Sequence, residues 1–515
     1  MMRALSLLVA ALALTACPPA PLPAPPVPVV PPVVPAEPTN PSGTGIAASA
    51  DAPAQTTVAI VGGGLAGLVT AHELKKAGVA FHLLEAQDVV GGRVQTAHYA
   101  DGLHAEYGLQ ELWGDNPLLP VVKELGVPID SDVEETYSSM VLDGKLYGFT
   151  QDTNDEYFAA MMKPDEIAAL KAWMVKARAL HAKAEKVGLR SPDVAALQAV
   201  SFGKWVQSFN MPKRVNDWIR LTIECELATS WEVFSGLVGL LEFGVFLGEG
   251  QPNYKILGGN TKLIEALAKE AAPSVTTSAL VSRVDRKKGK DGKVRVTVSY
   301  MKEGHEQTLQ ADRVVVAVPP WRLHQIHFDP PLSPLKAEAI TSLGRGSYTV
   351  VHMIVNKDYH RLTDKPGLST VFPVLTDGVL GVIYGAQSEA PKESKNEVFA
   401  FLVHGGPGYA FHMQPRDVKI KEMLTAMDKL WPGFSKLVVS SYVYTYHPGA
   451  ISVWPTGRSP LDDKTQALRT PEDGLFLAGD YLWSGHSDGA GRSAIAAAAT
   501  IATELAVKTP AKKTP

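Results

Sequence analysis

Cysteine is scarce in this chain of 515 residues: only Cys17 and Cys225 are present. A disulfide framework is excluded, and Cys225 is expected to stand alone as a buried thiol. Charge of one sign is also scarce. The formal net charge is -4, and no long basic block interrupts the body of the chain. That weighs against nucleic acid as a partner. Beyond the N-terminus no uncharged apolar run reaches the length of a membrane span. No metal site and no internal repeat are expected. What is present is ordinary globular material, 45% hydrophobic and 20% charged. The length suits two or three domains around a large core.

The N-terminus reads as a secretory signal over residues 1–16. Arg3 supplies a positive start and Ala4 to Leu14 an apolar stretch. It ends in Leu14-Thr15-Ala16-Cys17, which resembles the lipobox of bacterial lipoproteins. The resemblance implies cleavage before Cys17, lipidation of its thiol, and an exported, membrane-anchored protein on the periplasmic or cell-surface side. Half of the residues from Pro18 to Pro41 are proline. Such a segment is expected to run as extended polyproline II, reaching about 75 Å. It suits a spacer between an anchor and a folded body. The basic tail at 508–515 reads as a frayed end.

The folded body starts near Thr56. Thr57 to Val61 predicts a strand, Leu65 to Ala77 a helix ending at Gly78, and Ala80 to Leu84 a second strand. That order starts a parallel sheet. From Pro117 to Leu247 the pattern is helical, with a clear helix from Pro164 to Val187 stopped at Gly188. A helix from Thr261 to Ala271 precedes strands at Ser278 to Arg286 and Val294 to Tyr300, joined by a turn at Lys287 to Gly292. Arg313 to Val318 and Leu475 to Leu477 are further short strands. Leu335 to Tyr446 predicts a second sheet with a helix, and Gly489 to Val507 a closing helix.

The first strand opens the run Val58-Ala-Ile-Val-Gly-Gly-Gly-Leu-Ala-Gly67. Gly62 makes the tight turn, Gly64 lets backbone approach a pyrophosphate, and Gly67 lets helix pack on strand. Leu65 and Ala66 begin the helix, whose free N–H groups face the phosphates. Glu85 ends the second strand 23 residues after Gly62. Its carboxylate is placed to accept hydrogen bonds from ribose hydroxyls.

Ala86 and then Gly91-Gly92-Arg93 follow. Here the chain resembles the flavin-containing amine oxidase family. The resemblance continues through Ala105-Glu106-Tyr107-Gly108, Leu257-Gly258-Gly259-Asn260, Val281, Val314 to Pro320, and Phe476 to Asp480 with its Ala478-Gly479-Asp480 signature. It implies non-covalent FAD, since no cysteine follows Cys225. Arg93 would reach the cofactor phosphates, and Val281 would meet the adenine through its backbone. Asp480, after Gly479, would bond the ribitol or pyrophosphate. The helix from Gly489 and Ala490 would aim its positive end at the flavin ring.

The substrate half departs from that family. A lysine usually stands on a substrate-domain strand near flavin N5. The matching strand is Gly346 to Ile354, with Val350 at the lysine position. Alternation puts Tyr348, Val350, His352 and Ile354 on one face. His352 reads either as the substituting polar group or as a half-buried sheet histidine. His486 stands where a cage tyrosine is usual, and Tyr446 and Trp454 read either as the other wall or as core. No arginine follows Glu106 to clamp an α-amino acid carboxylate. Glu111 is placed to attract a cationic amine, with Glu224, Glu226 and Glu232 as more distant candidates.

The expected class is α/β: a Rossmann-like FAD-binding domain with a mixed sheet-plus-helix substrate domain. The expected division is signal 1–16; lipidated cysteine and linker 17–55; FAD-binding segments 56–116, 251–330 and 441–507; helical substrate segment 117–250; and substrate sheet 331–440. The resemblance implies oxidation of an amine C–N bond by hydride transfer to flavin N5, with oxygen as acceptor and peroxide as product. No residue need act as a strong base. The alternatives are a flavin desaturase or dehydrogenase of an apolar substrate, and an FAD-binding lipoprotein without turnover.

Overall fold

In the computed structural model, β1 (Val58–Val61) runs through a glycine turn into α1 (Leu65–Lys76) and returns as β2 (Phe81–Leu84). The structure describes residues 50–135, 138–148, 154–247, 251–362, 373–385 and 393–506. The signal segment, Cys17, the proline-rich stretch and the basic tail lie outside the described residues. The described residues all fall within one compact unit.

Along the chain come α2 (Pro164–Val187), α3 (Lys213–Leu227), α4 (Gly236–Phe243) and α5 (Thr261–Ala271). Strands β3 (Val275–Thr276) and β4 (Arg313–Val316) follow. Next are three long strands, β5 (Gly344–Asn356), β6 (Asn396–His404) and β7 (Val438–Val453). Finally β8 (Leu475–Leu477) leads to α6 (Ser487–Ala506).

One sheet has the order β3-β2-β1-β4-β8 and all its pairings are parallel. The strands are short and apolar because both faces are covered. Val58 and Ile60 face a core shared with α1, α5 and α6, while Ala59 and Val61 face the opposite core. The predicted turn joins Leu280–Lys288 to Val294–Lys302, antiparallel, and His305–Ala311 adds a third strand.

The second sheet has seven strands and is mixed. Next to its edge strand β7, β5 pairs antiparallel with both β6 and β7. The expected alternation of β5 holds: Val350 and Ile354 pack toward the helical block, Val351, Met353 and Val355 toward the other face. The helical block includes α2, α3 and α4, with Trp173, Trp218 and Phe243 buried among them. The wholly helical reading from Pro117 to Leu247 needs correction. Ser139–Leu142 and Lys145–Tyr147 are strands of the seven-stranded sheet, and Ile129–Glu135 pairs with Gln251–Ile256. Runs this short carry no period that separates strand from helix. Among the described residues no helix is long and apolar enough to cross a membrane.

Candidate active site

A cavity of about 1220 Å³ runs from the first glycine turn to the helical block. Its volume exceeds what a single drug-sized ligand takes and leaves room for a dinucleotide together with a substrate.

At one end the βαβ unit is built as its sequence demands. Gly62 has φ +104°, and a Cβ there would meet the Ala317 carbonyl oxygen at 2.8 Å. A Cβ on Gly67 would meet the Gly62 carbonyl oxygen at 1.9 Å. The N-terminus of α1 has no side-chain cap. Gly64, Leu65 and Ala66 line the cavity there, leaving first-turn N–H groups for an anion. Glu85 accepts hydrogen bonds from the N–H groups of Gly63 at 2.6 Å and Gln87 at 2.8 Å. Each carboxylate oxygen keeps a further lone pair for a hydroxyl donor. Burial pushes the Glu85 carboxyl above its ordinary range, against these hydrogen bonds.

Ala86, Gly92, Arg93, Val281, Gly479, Asp480 and Ala490 all line the same cavity, whereas Gly67 and Gly489 pack behind it. Arg93 donates to Asp480 through both terminal nitrogens, at 3.0 and 2.7 Å, and to the Ala450 carbonyl at 2.8 Å. So the two residues expected to face the cofactor also face each other. Ser452 Oγ is buried without a hydrogen-bond partner in the cavity wall, and the Tyr107 hydroxyl there meets Tyr444. A glycine cradle, an uncapped helix end, an acid at the ribose position and an unpartnered hydroxyl together fit a dinucleotide such as FAD.

The other end is acidic. Glu111, Glu226 and Glu242 line it together with His486, Tyr348 and Trp454. His486 Nε2 lies 2.6 Å from Glu242 Oε1. Burial alone would lower the imidazole pKa, but the carboxylates of Glu242, Glu226 and Asp488 raise it to about 10. His486 is therefore a cation at neutral pH. Glu226 is raised to about 7, by burial first and by Glu242 and Glu111, against the pull of His486. Glu111 Oε2 is buried, without a hydrogen bond, and 4.0 Å from Lys255 Nζ. Trp454 donates its indole N–H to Thr465 Oγ1 at 2.9 Å. The side chain of Tyr446 lies outside the described residues.

His352 is a correction. It is fully buried and is not among the residues lining the cavity. Its Nε2 donates to the Glu106 carbonyl at 3.0 Å, which leaves Nδ1 to accept from the Tyr99 hydroxyl at 2.7 Å. Its ring stacks on Tyr107, 5.4 Å between centroids, and Tyr107 is what lines the cavity. Burial drops the His352 pKa to about 3. It is a neutral sheet histidine behind the wall. Tyr348, four residues earlier on the same face of β5, reaches the cavity and donates to the Cys225 carbonyl at 2.5 Å.

Two of the distant acids also fall elsewhere. Glu224 pairs with Arg220 and accepts from Trp231 N–H, and Glu232 accepts from Ser201. Sequence reasoning missed Glu242, although a lone charge in the apolar helix Gly236–Phe243 was a usable signal. His72, Glu73 and Glu124 cluster at metal-ligand spacing. The ammonium of Lys76 already stands there, 2.7 Å from Glu124 and 3.1 Å from Glu73.

Residues 65–502 match the family model for flavin containing amine oxidoreductase. The chain is 26% identical over 370 residues to putrescine oxidase of Kocuria rosea, covering 68% of this chain and 71% of that one. It is 24% identical over 482 residues to a putative flavin-containing monoamine oxidase, AofH, of Mycobacterium tuberculosis, covering 88% and 98%. The solved structure of wild-type putrescine oxidase bound to putrescine has a TM-score of 0.72 at 22% identity, covering 87% of this chain and 99% of that one. With the glycine cradle at one end of its cavity and an acidic lining at the other, the chain belongs to the flavin-containing amine oxidoreductase family and is an oxidoreductase enzyme.

Proposed function

We propose that this protein uses non-covalent FAD to oxidise the C–N bond of an amine that carries a second cationic group, with oxygen as final acceptor and hydrogen peroxide as product. The observation that carries this is the acidic end of the cavity. Three carboxylates, Glu111, Glu226 and Glu242, face it, and His486 balances one of them. An excess of buried negative charge favours a ligand of opposite charge. The relationship to a putrescine oxidase points to the same ligand class.

When bound, FAD supplies the hydride acceptor. The chain supplies binding, orientation and dryness. The N-terminus of α1, Glu85 and the Arg93–Asp480 pair would hold the dinucleotide. Trp454 and His486 would flank the substrate, and the carboxylates would anchor its charged ends.

Anaerobic titration of the holoenzyme with a diamine and with a monoamine of equal chain length tests the reading. The diamine should bleach the flavin spectrum at much lower concentration. Equal potency removes the second cationic group from the proposal, and bleaching by neither removes the amine.

A second reading concerns the acceptor. No lysine is among the described residues lining the cavity. That favours a dehydrogenase with slow reaction toward oxygen. Mixing reduced enzyme with aerated buffer separates the two by the rate of flavin recovery. We also propose that the enzyme is exported and tethered through lipid on Cys17. Fatty-acid labelling that persists in Cys17→Ala would overturn that.

A further inference from the structure

Glu226 is the penultimate residue of α3, and its side chain lines the cavity. Among the described residues it has no hydrogen-bond or ion-pair partner. The groups that face it come from several elements. Glu242 of α4 and His486 of the loop before α6 are paired to each other at 2.6 Å. Asp488, at the start of α6, lies against His486. Glu111 has Lys255 at 4.0 Å. Tyr348 of β5 and the Cys225 thiol are held neutral by burial, with Glu226 among the charges that keep them so. Of the three glutamates Glu111, Glu226 and Glu242, Glu226 is thus the one with no cation at ion-pair distance among the described residues, and His486 acts on it only from further off.

An amine arrives at neutral pH as its ammonium, because its pKa in water is about 10. Loss of hydride from the α-carbon requires the nitrogen lone pair. The ammonium proton therefore has to leave inside a closed, dehydrated site. An ammonium and a carboxylate that both lose hydration are driven toward the neutral pair.

We propose that Glu226 is a catalytic residue that takes the ammonium proton of the bound amine, while the His486–Glu242 pair keeps its own charges fixed beside it. The N–H bond of the ammonium breaks and an O–H bond forms on Glu226. The products are the neutral amine and a neutral carboxylic acid, and no oxidant or reductant enters this step. The raised affinity of Glu226 for a proton, midway at about pH 7, suits an acceptor working near neutrality. The proposal rests on the amine-oxidising reading above.

Calorimetry with an amine lacking any α C–H bond tests it without turnover. The holoenzyme is titrated in buffers of different ionisation enthalpy, one pH unit or more on either side of 7. The wild type should release about one proton per amine bound on the acid side, where Glu226 is already protonated. It should release almost none on the basic side, where Glu226 keeps the proton. Glu226→Gln should release about one proton on both sides, and Glu226→Asp should restore the pH dependence. In anaerobic mixing with an oxidisable amine, Glu226→Gln should bleach the flavin ~100-fold more slowly at neutral pH. Equal proton counts in wild type and Glu226→Gln on the basic side would overturn the role of Glu226. So would an unchanged pH profile of bleaching. Failure of every amine to bleach the wild type would overturn the amine reading itself, a different result.

Discussion

Arg93 and Asp480 stand 387 residues apart in the chain and meet in a two-pronged ion pair. Arg93 follows the second glycine pair, and Asp480 follows β8. The pair therefore clamps the two ends of the dinucleotide-binding unit together. Asp480 is 2% exposed, with Ser452 N–H as its other donor at 3.3 Å.

Arg93→Ala should leave that buried carboxylate without its cation. The expected loss is about 2 kcal/mol, at the lower side for a broken buried pair because Arg93 itself is partly solvated. Thermal unfolding and flavin absorbance per chain measure it. Arg93→Lys should recover part of the stability but not the paired geometry. Unchanged stability and flavin content in Arg93→Ala would show that the pair does not clamp.

Gly67→Ala should abolish flavin binding. Its Cβ would sit 1.9 Å from the Gly62 carbonyl oxygen, so α1 must shift away from the turn. Gly78→Ala is the comparison. There nothing lies within 4 Å of a Cβ and only the positive φ of +69° is strained, at about 1 kcal/mol. Flavin retention by purified Gly67→Ala would contradict the packing argument.

His352 should contribute to acid lability and not to catalysis. Its folded pKa of about 3 lies below the ordinary value of 6.5. The unfolded chain therefore binds a proton that the native state refuses. Stability from this residue is complete above about pH 6.5 and is lost as pH falls from there toward 3. The slope is about 1.4 kcal/mol per pH unit. His352→Gln should flatten that part of the stability curve and leave flavin reduction by the amine unchanged at neutral pH. A large drop in the reduction rate would return His352 to the site.

Acid precipitation of the holoenzyme should leave all flavin in the supernatant. Cys225 is the free cysteine among the described residues, and its Sγ lies 3.3 Å from His404 Nε2. Burial holds it well above its ordinary pKa, as a thiol. A thiol in this state is a poor nucleophile toward a flavin methyl group. Flavin that stays with the pellet in the wild type and leaves it in Cys225→Ser would reverse this expectation.

The cofactor end of the cavity was legible because its residues are fixed by their own backbone. Gly62, Gly64 and Gly67 are set by a turn and a close helix–strand approach within six residues, so the chain writes them as a local pattern. The acidic end had no such pattern. Glu111, Glu226, Glu242 and His486 come from four separate stretches, and only packing brings them to one surface. His352 shows the same limit from the other side. Its strand and its face followed from alternation, but Tyr107, from another part of the chain, stacks over it and takes the cavity position.

The sequence by itself determined the parallel βαβ start, the dinucleotide cradle and the kinship with flavin amine oxidoreductases. These rest on periodicity and on glycines whose need is local. Tertiary structure alone decided which acids share a dehydrated cavity and which pair elsewhere. It also decided that His486 meets Glu242 and that Glu226 has no ion-pair partner among the described residues. Charges in a low-dielectric space act on one another by distance and burial, and neither quantity is written in residue spacing.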